Sequence, residues 1–216
     1  MQKYFVAVAG NIGVGKSSLT TLLAQRLGWE PFFEPVVENP YLADFYSDMS
    51  AWAFHSQIFF LSRRLHDYDA LMQHPTSVLQ DRTVYEDAEI FARNLYGRGY
   101  INERDWASYW DLYRSVSLLL PPPNLVVYLQ ASVNTLLSRI GLRGRDFERN
   151  ISADYLSQLN ALYDEWVSSF SLCPVLTIAT DDLDFVQYPQ HLDIITGRIE
   201  DRLRGKEILN FTPEKP

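Results

Sequence analysis

One segment near the N-terminus strongly restricts how this chain can fold. An apolar run from Tyr4 to Ala9 leads directly into Gly10-Asn-Ile-Gly-Val-Gly-Lys-Ser17, and leucines at helical spacing follow from Leu19. This order predicts a buried strand, a glycine-rich turn and a helix that begins at the turn. The turn fits the pattern G-x-x-x-x-G-K-[ST], in which backbone N–H groups surround phosphate oxygens. We therefore expect a phosphate-binding loop whose ligand is a nucleoside triphosphate.

The side chains of this loop suit that ligand. Lys16 supplies positive charge to the phosphates, and the Ser17 hydroxyl is a ligand for Mg²⁺. The alternative is an ordinary strand-to-helix turn with a solvated lysine, which the flanking strand and helix disfavour. The predicted nucleotide-binding residues here are Gly10, Asn11, Ile12, Gly13, Val14, Gly15, Lys16, Ser17 and Ser18.

Composition excludes several other classes of protein. The 216 residues suffice for one α/β core, and no linker, repeat or low-complexity tract divides them, so we expect a single domain over residues 1–216. Nineteen basic against 27 acidic residues give a net charge of −8, which disfavours a nucleic-acid polymer as partner. The lone Cys173 and the lack of a leader or membrane-spanning run predict a cytoplasmic protein with no membrane partner.

Hydrophobic periodicity predicts an α/β fold with a five-stranded parallel sheet flanked by helices. Four predicted strands are Phe5–Ala9, Val78–Leu79, Leu125–Leu129 and Val175–Ile178, and a shorter fifth lies near Phe32–Phe33. Long helices are expected over Trp52–Met72 and Arg104–Leu120, both rich in aromatic residues. Such a stripe usually packs within one chain, but its width also suits a homodimer formed through these helices.

Glu34 is the first further residue able to take part in catalysis. It follows Phe32-Phe33 and precedes Pro35, at the end of a predicted strand where a carboxylate can face a cleft. There it could take a proton from an acceptor hydroxyl. A solvated loop glutamate is the alternative.

Asp81-Arg82 follows the predicted strand at Val78, where ligands of open α/β sheets collect. Asp81 could share Mg²⁺ with Ser17, and Arg82 could hold the acceptor or the transferring phosphoryl group. The alternative is a surface ion pair or a helix cap.

A third group lies near residues 140–149, where the sequence Arg139-Ile-Gly-Leu-Arg143-Gly-Arg145-Asp-Phe-Glu148 carries three arginines. Two glycines are expected to interrupt the helix that begins near Ser132 and to make this segment a short arginine-rich lid. Arginines on such a lid can close over phosphates and stabilise developing charge. A solvated basic loop is the alternative.

Taken together, these motifs resemble the deoxynucleoside kinase family, and more closely its bacterial deoxyadenosine and deoxyguanosine kinases. The matching pieces, in order, are Gly10–Ser17, Glu34-Pro35-Val36 with Glu38-Asn-Pro-Tyr-Leu42, Asp81-Arg82-Thr83 and Arg143-Gly-Arg145. The resemblance covers nearly the whole chain and implies a P-loop kinase fold. It implies phosphorylation of the 5′-hydroxyl of a 2′-deoxynucleoside by ATP with Mg²⁺, in nucleotide salvage.

The resemblance also implies roles for individual residues. Glu34 is then the general base and Arg82 holds the 5′-hydroxyl, with Lys16, Arg143 and Arg145 at the phosphates. Asp81 contributes to the Mg²⁺ site, although the animal enzymes have glutamate there, which raises the question of an intervening water. Tyr46 and Glu148 are then at the sugar. The residues at the base are Phe54, Gln57, Arg64, Asp87 and Phe91. Those at ATP are Arg139, Asp182 and Phe185.

A carboxylate at Asp87 and an amide at Gln57 suit a base with an exocyclic amino group, which thymine lacks. Deoxyadenosine is the favoured small-molecule substrate, with deoxyguanosine and deoxycytidine also open. One alternative is thymidylate kinase, which shares a phosphate loop, an Asp-Arg motif and an arginine-bearing lid. Another, of a different class, is a non-catalytic structural subunit with this fold, as in a kinase-like accessory subunit of respiratory complex I.

Overall fold

The predicted five-stranded parallel sheet is confirmed in the computed structural model, which describes residues 3–33, 38–148 and 151–205. The strand order is β2-β3-β1-β4-β5, and every neighbouring pair is parallel. The strands are β1 (Phe5–Gly10), β2 (Glu30–Phe32), β3 (Val78–Asp81), β4 (Leu125–Gln130) and β5 (Val175–Ala179). All six residues of β1 are buried, which agrees with its central place and its unbroken apolar sequence.

Helices connect the strands. They are α1 (Lys16–Leu27), α2 (Leu42–Ser47), α3 (Met49–Gln73), α4 (Val84–Glu86), α5 (Arg93–Gly97), α6 (Glu103–Ser117), α7 (Val133–Arg143), α8 (Ala153–Ser169) and α9 (Pro189–Arg204). A π-helical turn over Asp87–Ala92 joins α4 to α5, and a 3₁₀ turn over Asp146–Glu148 follows α7. None of the helices in the described ranges is long and apolar enough to cross a bilayer.

The strand order places the loops after β1 and β3 side by side at one sheet edge. The chain moves from β1 toward β2 in one direction and from β3 toward β4 in the other. With right-handed crossovers, α1 then covers one face of the sheet, and the helices after β3 cover the opposite face. Such a reversal opens a crevice at the carboxyl ends of the strands, where α/β proteins bind ligands. The phosphate loop and Asp81-Arg82 flank this crevice.

One expectation about a helix end was wrong. Helix α7 continues through Gly141 to Arg143, because one glycine inside a helix costs only about 1 kcal/mol. It ends at Gly144, whose φ of 67° is the left-handed C-cap conformation. The last helix begins at Pro189, and before it Asp184 accepts hydrogen bonds from Val186 and Gln187 N–H and forms a separate turn.

The close approach of Gly10 to β4 requires glycine. Its φ is +143°, and a Cβ at this position would lie 2.6 Å from the Leu129 carbonyl oxygen and 2.9 Å from Val14 Cγ1. Both the backbone conformation and the neighbouring backbone atom therefore exclude a side chain.

We expect Gly10→Ala to lower the free energy of unfolding by about 1–3 kcal/mol through backbone strain and the clash with Leu129. Gly141→Ala is the matched control, because nothing lies within 4 Å of its Cβ position in α7. That control should raise the stability by about 0.5–1 kcal/mol. Urea unfolding followed by circular dichroism measures both, and equal stability of Gly10→Ala and the unaltered chain would contradict the account.

Candidate active site

A single cavity of about 1150 Å³ opens at the carboxyl edge of the sheet and brings together most of the residues singled out in the sequence. Those lining it are Ile12, Gly13, Val14, Gly15, Lys16, Ser17, Ser18, Tyr46, Gln57, Arg82, Asp87, Phe91, Arg139, Arg143, Arg145, Glu148, Asp182 and Phe185. Glu34, the expected general base, lies outside the described residues. The lining comes from every predicted motif within the described ranges, so the residues expected at the donor and those expected at the acceptor share one cavity.

The phosphate loop is pre-organised by its own lysine. Lys16 begins α1, and its Nζ donates hydrogen bonds to the carbonyl oxygens of Gly10 at 2.8 Å and Asn11 at 3.0 Å. The ammonium group therefore lies over the loop, where an incoming phosphate can exchange for these carbonyls. The N-terminus of α1 adds its partial positive charge at the same place.

Helix α8 holds the loop from beneath. The Asn11 side chain donates to the Leu156 carbonyl at 2.9 Å and to Asn160 Oδ1 at 2.8 Å, and Asn160 in turn donates to the Ala131 carbonyl. Asn11 was expected among the nucleotide-binding residues, but its side chain faces α8 and not the cavity. Its contribution to phosphate binding is therefore limited to its backbone.

Ser17 and Asp81 meet at the end of the loop. The Ser17 hydroxyl donates to Asp81 Oδ2 at 2.5 Å, although 64 residues separate them in the chain. A hydroxyl and a carboxylate oxygen beside a phosphate loop are the ligands that Mg²⁺ takes in nucleotide sites, with phosphate oxygens and waters completing the set. The two side chains thus fit a shared Mg²⁺ site.

Arg82 is held in a strained conformation. Its φ of 67° makes it the non-glycine residue with positive φ in the described ranges, a conformation that costs about 1–3 kcal/mol. The guanidinium stacks on the Phe91 ring at 3.9 Å from the ring centroid. The backbone N–H of Arg82 donates to the Val8 carbonyl. Because Phe91 supports Arg82 in this way, one face of the ring expected to sandwich the base is already covered.

A buried ion pair lies at the far end of the cavity. Arg64 Nε donates to Asp87 Oδ2 at 3.0 Å, and Arg64 Nη1 donates to the Asp81 carbonyl at 3.2 Å. Arg64 itself does not line the cavity, so its guanidinium orients Asp87 from behind. The nearby Tyr109 hydroxyl is fully buried, and burial raises its pKa well above the ordinary value of 10, so it stays neutral.

Gln57 offers an unsatisfied group to this end of the cavity. Its side chain is 4% exposed, and its Oε1 accepts no hydrogen bond from any described residue. A buried acceptor in this state costs about 1–3 kcal/mol, which a ligand N–H would recover. Phe54, the other aromatic residue expected at the base, packs against the hydrophobic core outside the cavity. Phe33, Phe45 and Phe60 line it instead.

Glu148 gathers two lid arginines. Arg143 Nη2 donates to Glu148 Oε2 at 2.5 Å, and Arg145 Nη1 lies 3.4 Å from Glu148 Oε1. The 3₁₀ turn that carries Glu148 packs against α2, which carries Tyr46. The two residues predicted at the sugar therefore come from adjoining elements and face the cavity beside the lid.

Arg139 does not behave as a lid residue. Its guanidinium donates to the Val14 carbonyl, to the Thr180 carbonyl and hydroxyl, and to the Leu183 carbonyl, at distances of 2.6–3.3 Å. These bonds join the phosphate loop to the 180–183 segment. Phe185 follows that segment and lies against Gly15, where an added Cβ would come within 3.1 Å of the ring.

Sequence reasoning missed Glu86, the most buried carboxylate of the site. It accepts hydrogen bonds from Gly10 N–H, from the Thr83 N–H and hydroxyl, and from the Tyr163 hydroxyl. Burial raises its pKa above the ordinary 4.5, while nearby Arg82 and Lys16 act in the opposite direction. The spacing of Thr83 and Glu86 is that of a capping box, a signal available in the sequence.

Comparison with known proteins agrees with this geometry. The family model for deoxynucleoside kinase matches residues 6–204. The chain is 36% identical over 196 residues to a deoxyadenosine/deoxycytidine kinase of Bacillus subtilis, with 90% of each chain covered. It is 34% identical to a deoxyguanosine kinase of Lactobacillus acidophilus, covering 92% of this chain and 90% of the relative.

A solved structure gives the same result for the fold. The deoxyadenosine kinase of M. mycoides with bound dATP superposes with a TM-score of 0.81 at 30% identity, covering 91% of this chain and 99% of that one. A family match over most of the chain, relatives above 30% identity and the P-loop kinase fold together lead to one conclusion. The chain belongs to the deoxynucleoside kinase family.

Proposed function

We propose that this protein transfers the terminal phosphoryl group of ATP to the 5′-hydroxyl of a 2′-deoxynucleoside, with deoxyadenosine as its main substrate, in cytoplasmic nucleotide salvage. The observation that carries the proposal is the single cavity in which a phosphate loop adjoins a buried amide and carboxylate. The phosphate loop can hold a triphosphate, and the amide and carboxylate can hold a base. We further propose that the whole chain acts as one domain.

The proposed base site selects by hydrogen bonding. The vacant Gln57 Oε1 and the carboxylate of Asp87 both accept hydrogen bonds, so they favour a base edge that carries an amino group. Adenine and cytosine offer such a group beside a ring nitrogen, and guanine offers N–H groups. Relatives named for deoxyadenosine, deoxyguanosine and deoxycytidine support this range, and we place deoxyadenosine first.

The proposed chemistry depends on positioning and charge. Glu34 takes the proton of the 5′-hydroxyl, and Arg82, fixed on Phe91, holds the oxygen in line with the terminal phosphate. Lys16, Arg143 and Arg145 neutralise charge on the transferring group. Mg²⁺, held by Ser17 and Asp81, would supply further charge neutralisation when bound. The direct 2.5 Å hydrogen bond between these two residues places the Asp81 carboxylate close to a metal ion that Ser17 binds.

The sugar and the remaining part of ATP occupy the two sides of the lid in this proposal. Tyr46 and Glu148 bind the 3′-hydroxyl, which places the deoxyribose beside Arg143 and Arg145. The ATP base lies against Asp182 and Phe185. Arg139 supports this donor side by holding the loop in place.

Neither alternative fits as well. A thymidylate kinase would need to bind a monophosphate dianion, whereas the Glu34-Pro35-Val36 motif offers a base to the hydroxyl of a neutral sugar. The relatives named above also act on deoxynucleosides. A non-catalytic subunit has no need of Lys16, Ser17, Asp81 and Arg82 gathered at one crevice.

A homodimer is proposed through α6 and the turn after it. Trp106 stacks on Tyr96 and Trp110, and most of this aromatic stripe packs on the chain's own core. Leu112 is 43% exposed, and Leu118 and Leu119 are more than three-quarters exposed. Burying these leucines against a second copy would remove them from water.

Glu34→Gln should retain deoxynucleoside binding but lose about 10²–10⁴-fold in kcat, because the amide cannot accept the hydroxyl proton. Glu38→Gln, a change at an exposed glutamate four residues on, should leave kcat unchanged. Rapid-quench measurement compares the rate of the chemical step in the two variants with that of the unaltered enzyme. An unchanged rate of that step in Glu34→Gln would remove Glu34 from the role of base.

Deoxyadenosine should give the highest kcat/KM and thymidine the lowest in a steady-state panel of four 2′-deoxynucleosides. Gln57→Leu should lower kcat/KM for deoxyadenosine about 10- to 100-fold, because the amide contacts to the base are lost. Gln73→Leu on the exposed end of α3 is the control and should change nothing. A panel in which thymidine leads would refute the base assignment.

Leu112→Glu combined with Leu119→Glu should convert the protein to a monomer in sedimentation velocity, because charge on the proposed surface would be buried without a partner. Leu172→Glu, another exposed leucine, should leave the sedimentation coefficient as it is. Identical dimers in both variants would place the interface elsewhere.

A further inference from the structure

Glu86 lies between the two halves of the site and touches neither substrate pocket. It is fully buried on the short helix α4, directly after the Asp81-Arg82 corner. Each of its oxygens receives a backbone N–H from a different part of the chain. Oε1 accepts from Gly10 N–H at 3.1 Å, and Oε2 accepts from Thr83 N–H at 2.9 Å.

A capping box explains only one of these contacts. The reciprocal bonds between Thr83 and Glu86 satisfy the N-terminus of α4, as such boxes do in many helices. They involve Oε2 alone. The bond from Gly10, 76 residues away at the start of the phosphate loop, serves no purpose for that helix.

The two contacts fix the two groups whose relative position matters for phosphoryl transfer. Gly10 is the first residue of the phosphate loop. Thr83 N–H directly follows Arg82, so holding it restrains the strained backbone through which Arg82 presents its guanidinium. Arg82 N–H is itself bonded to the Val8 carbonyl, two residues before Gly10.

We propose that Glu86 is a positioning residue that couples the phosphate loop to Arg82 and thereby sets the distance between phosphoryl donor and acceptor hydroxyl. It acts through backbone contacts and never touches the reacting atoms. The inference rests on the proposed transfer from ATP to a 5′-hydroxyl.

This role requires a carboxylate of glutamate length. Both oxygens face N–H donors, so an amide, whichever way it is turned, directs its NH₂ group at one of the two backbone N–H groups. A shorter aspartate cannot reach both. Each change therefore releases one half of the site from the other while leaving the pocket residues in place.

Glu86→Gln should lower kcat about 10- to 100-fold, because small displacements of reacting groups have effects of that size. KM for ATP and for the deoxynucleoside should stay within about threefold, since each half still binds its ligand. The ATP hydrolysed per nucleotide formed should rise, because a misplaced acceptor leaves the phosphoryl group open to water.

The control is Glu89→Gln, which alters a partly buried carboxylate one turn further along that bonds Tyr113 and does not contact the phosphate loop. It should keep the kcat and the coupling ratio of the unaltered enzyme. Calorimetric ADP-binding stoichiometry gives the active fraction of each preparation. If Glu86→Gln fails to fold, Glu86→Asp carries the same test with the same expected losses.

Two results would overturn the inference. One is a kcat for the Glu86 variants equal to that of the unaltered enzyme after correction for active fraction. The other is a loss in which kcat and hydrolysis fall together, with coupling unchanged, as a purely structural role predicts. Absence of deoxynucleoside phosphorylation by the unaltered enzyme would instead refute the proposed function, so the two failures are distinguishable.

Discussion

The parallel pairing of β1 with β3 is the interaction on which the rest of the site depends. In this register Val8 stands opposite Asp81, so β3 ends two residues before the end of β1 and their loops emerge side by side. The bond from Ser17 to Asp81 and the bond from Arg82 N–H to Val8 both follow from that register. A shift by one residue would turn the Asp81 side chain to the other face of the sheet.

Around this pair the molecule combines a rigid frame with local strain. The strands at its centre are fully buried, whereas Arg82 adopts a left-handed backbone conformation and α4 passes into a π-helical turn. Strained backbone conformations and π-helical turns are both concentrated where proteins bind ligands. The π-helical turn places Asp87 and Phe91 on the cavity side, and well-packed neighbours hold both the turn and Arg82. The stability of the sheet thus supports a site that would not persist on its own.

Sequence patterns predicted the strands and the phosphate loop because both depend on local signals. Continuous apolar runs indicate buried parallel strands, and the glycine spacing indicates a loop with positive φ. The sites of Asp81 and Arg82 followed from their place after a strand. These inferences needed only the period of hydrophobic residues and the rule that parallel strands end at one edge.

Other features depend on contacts between distant segments, which no local pattern carries. The side chain of Asn11 turns to α8, and the guanidinium of Arg139 finds four acceptors between residues 14 and 183. The Gly10 contact of Glu86 was equally invisible, although its capping box was not. The continuation of α7 through Gly141 reflects tertiary packing, which overrides the weak helix propensity of glycine.

The bonds of Arg139 determine which part of α7 is anchored to the phosphate loop. Because this arginine joins the phosphate loop to the 180–183 segment, the first turns of α7 belong to the same rigid body as the donor site. The last turn of α7 and the 3₁₀ turn lie beyond this anchor in the chain. Arg143, Arg145 and Glu148 are joined there by their own ion pairs, so the charged end of α7 is held together by contacts separate from those of Arg139.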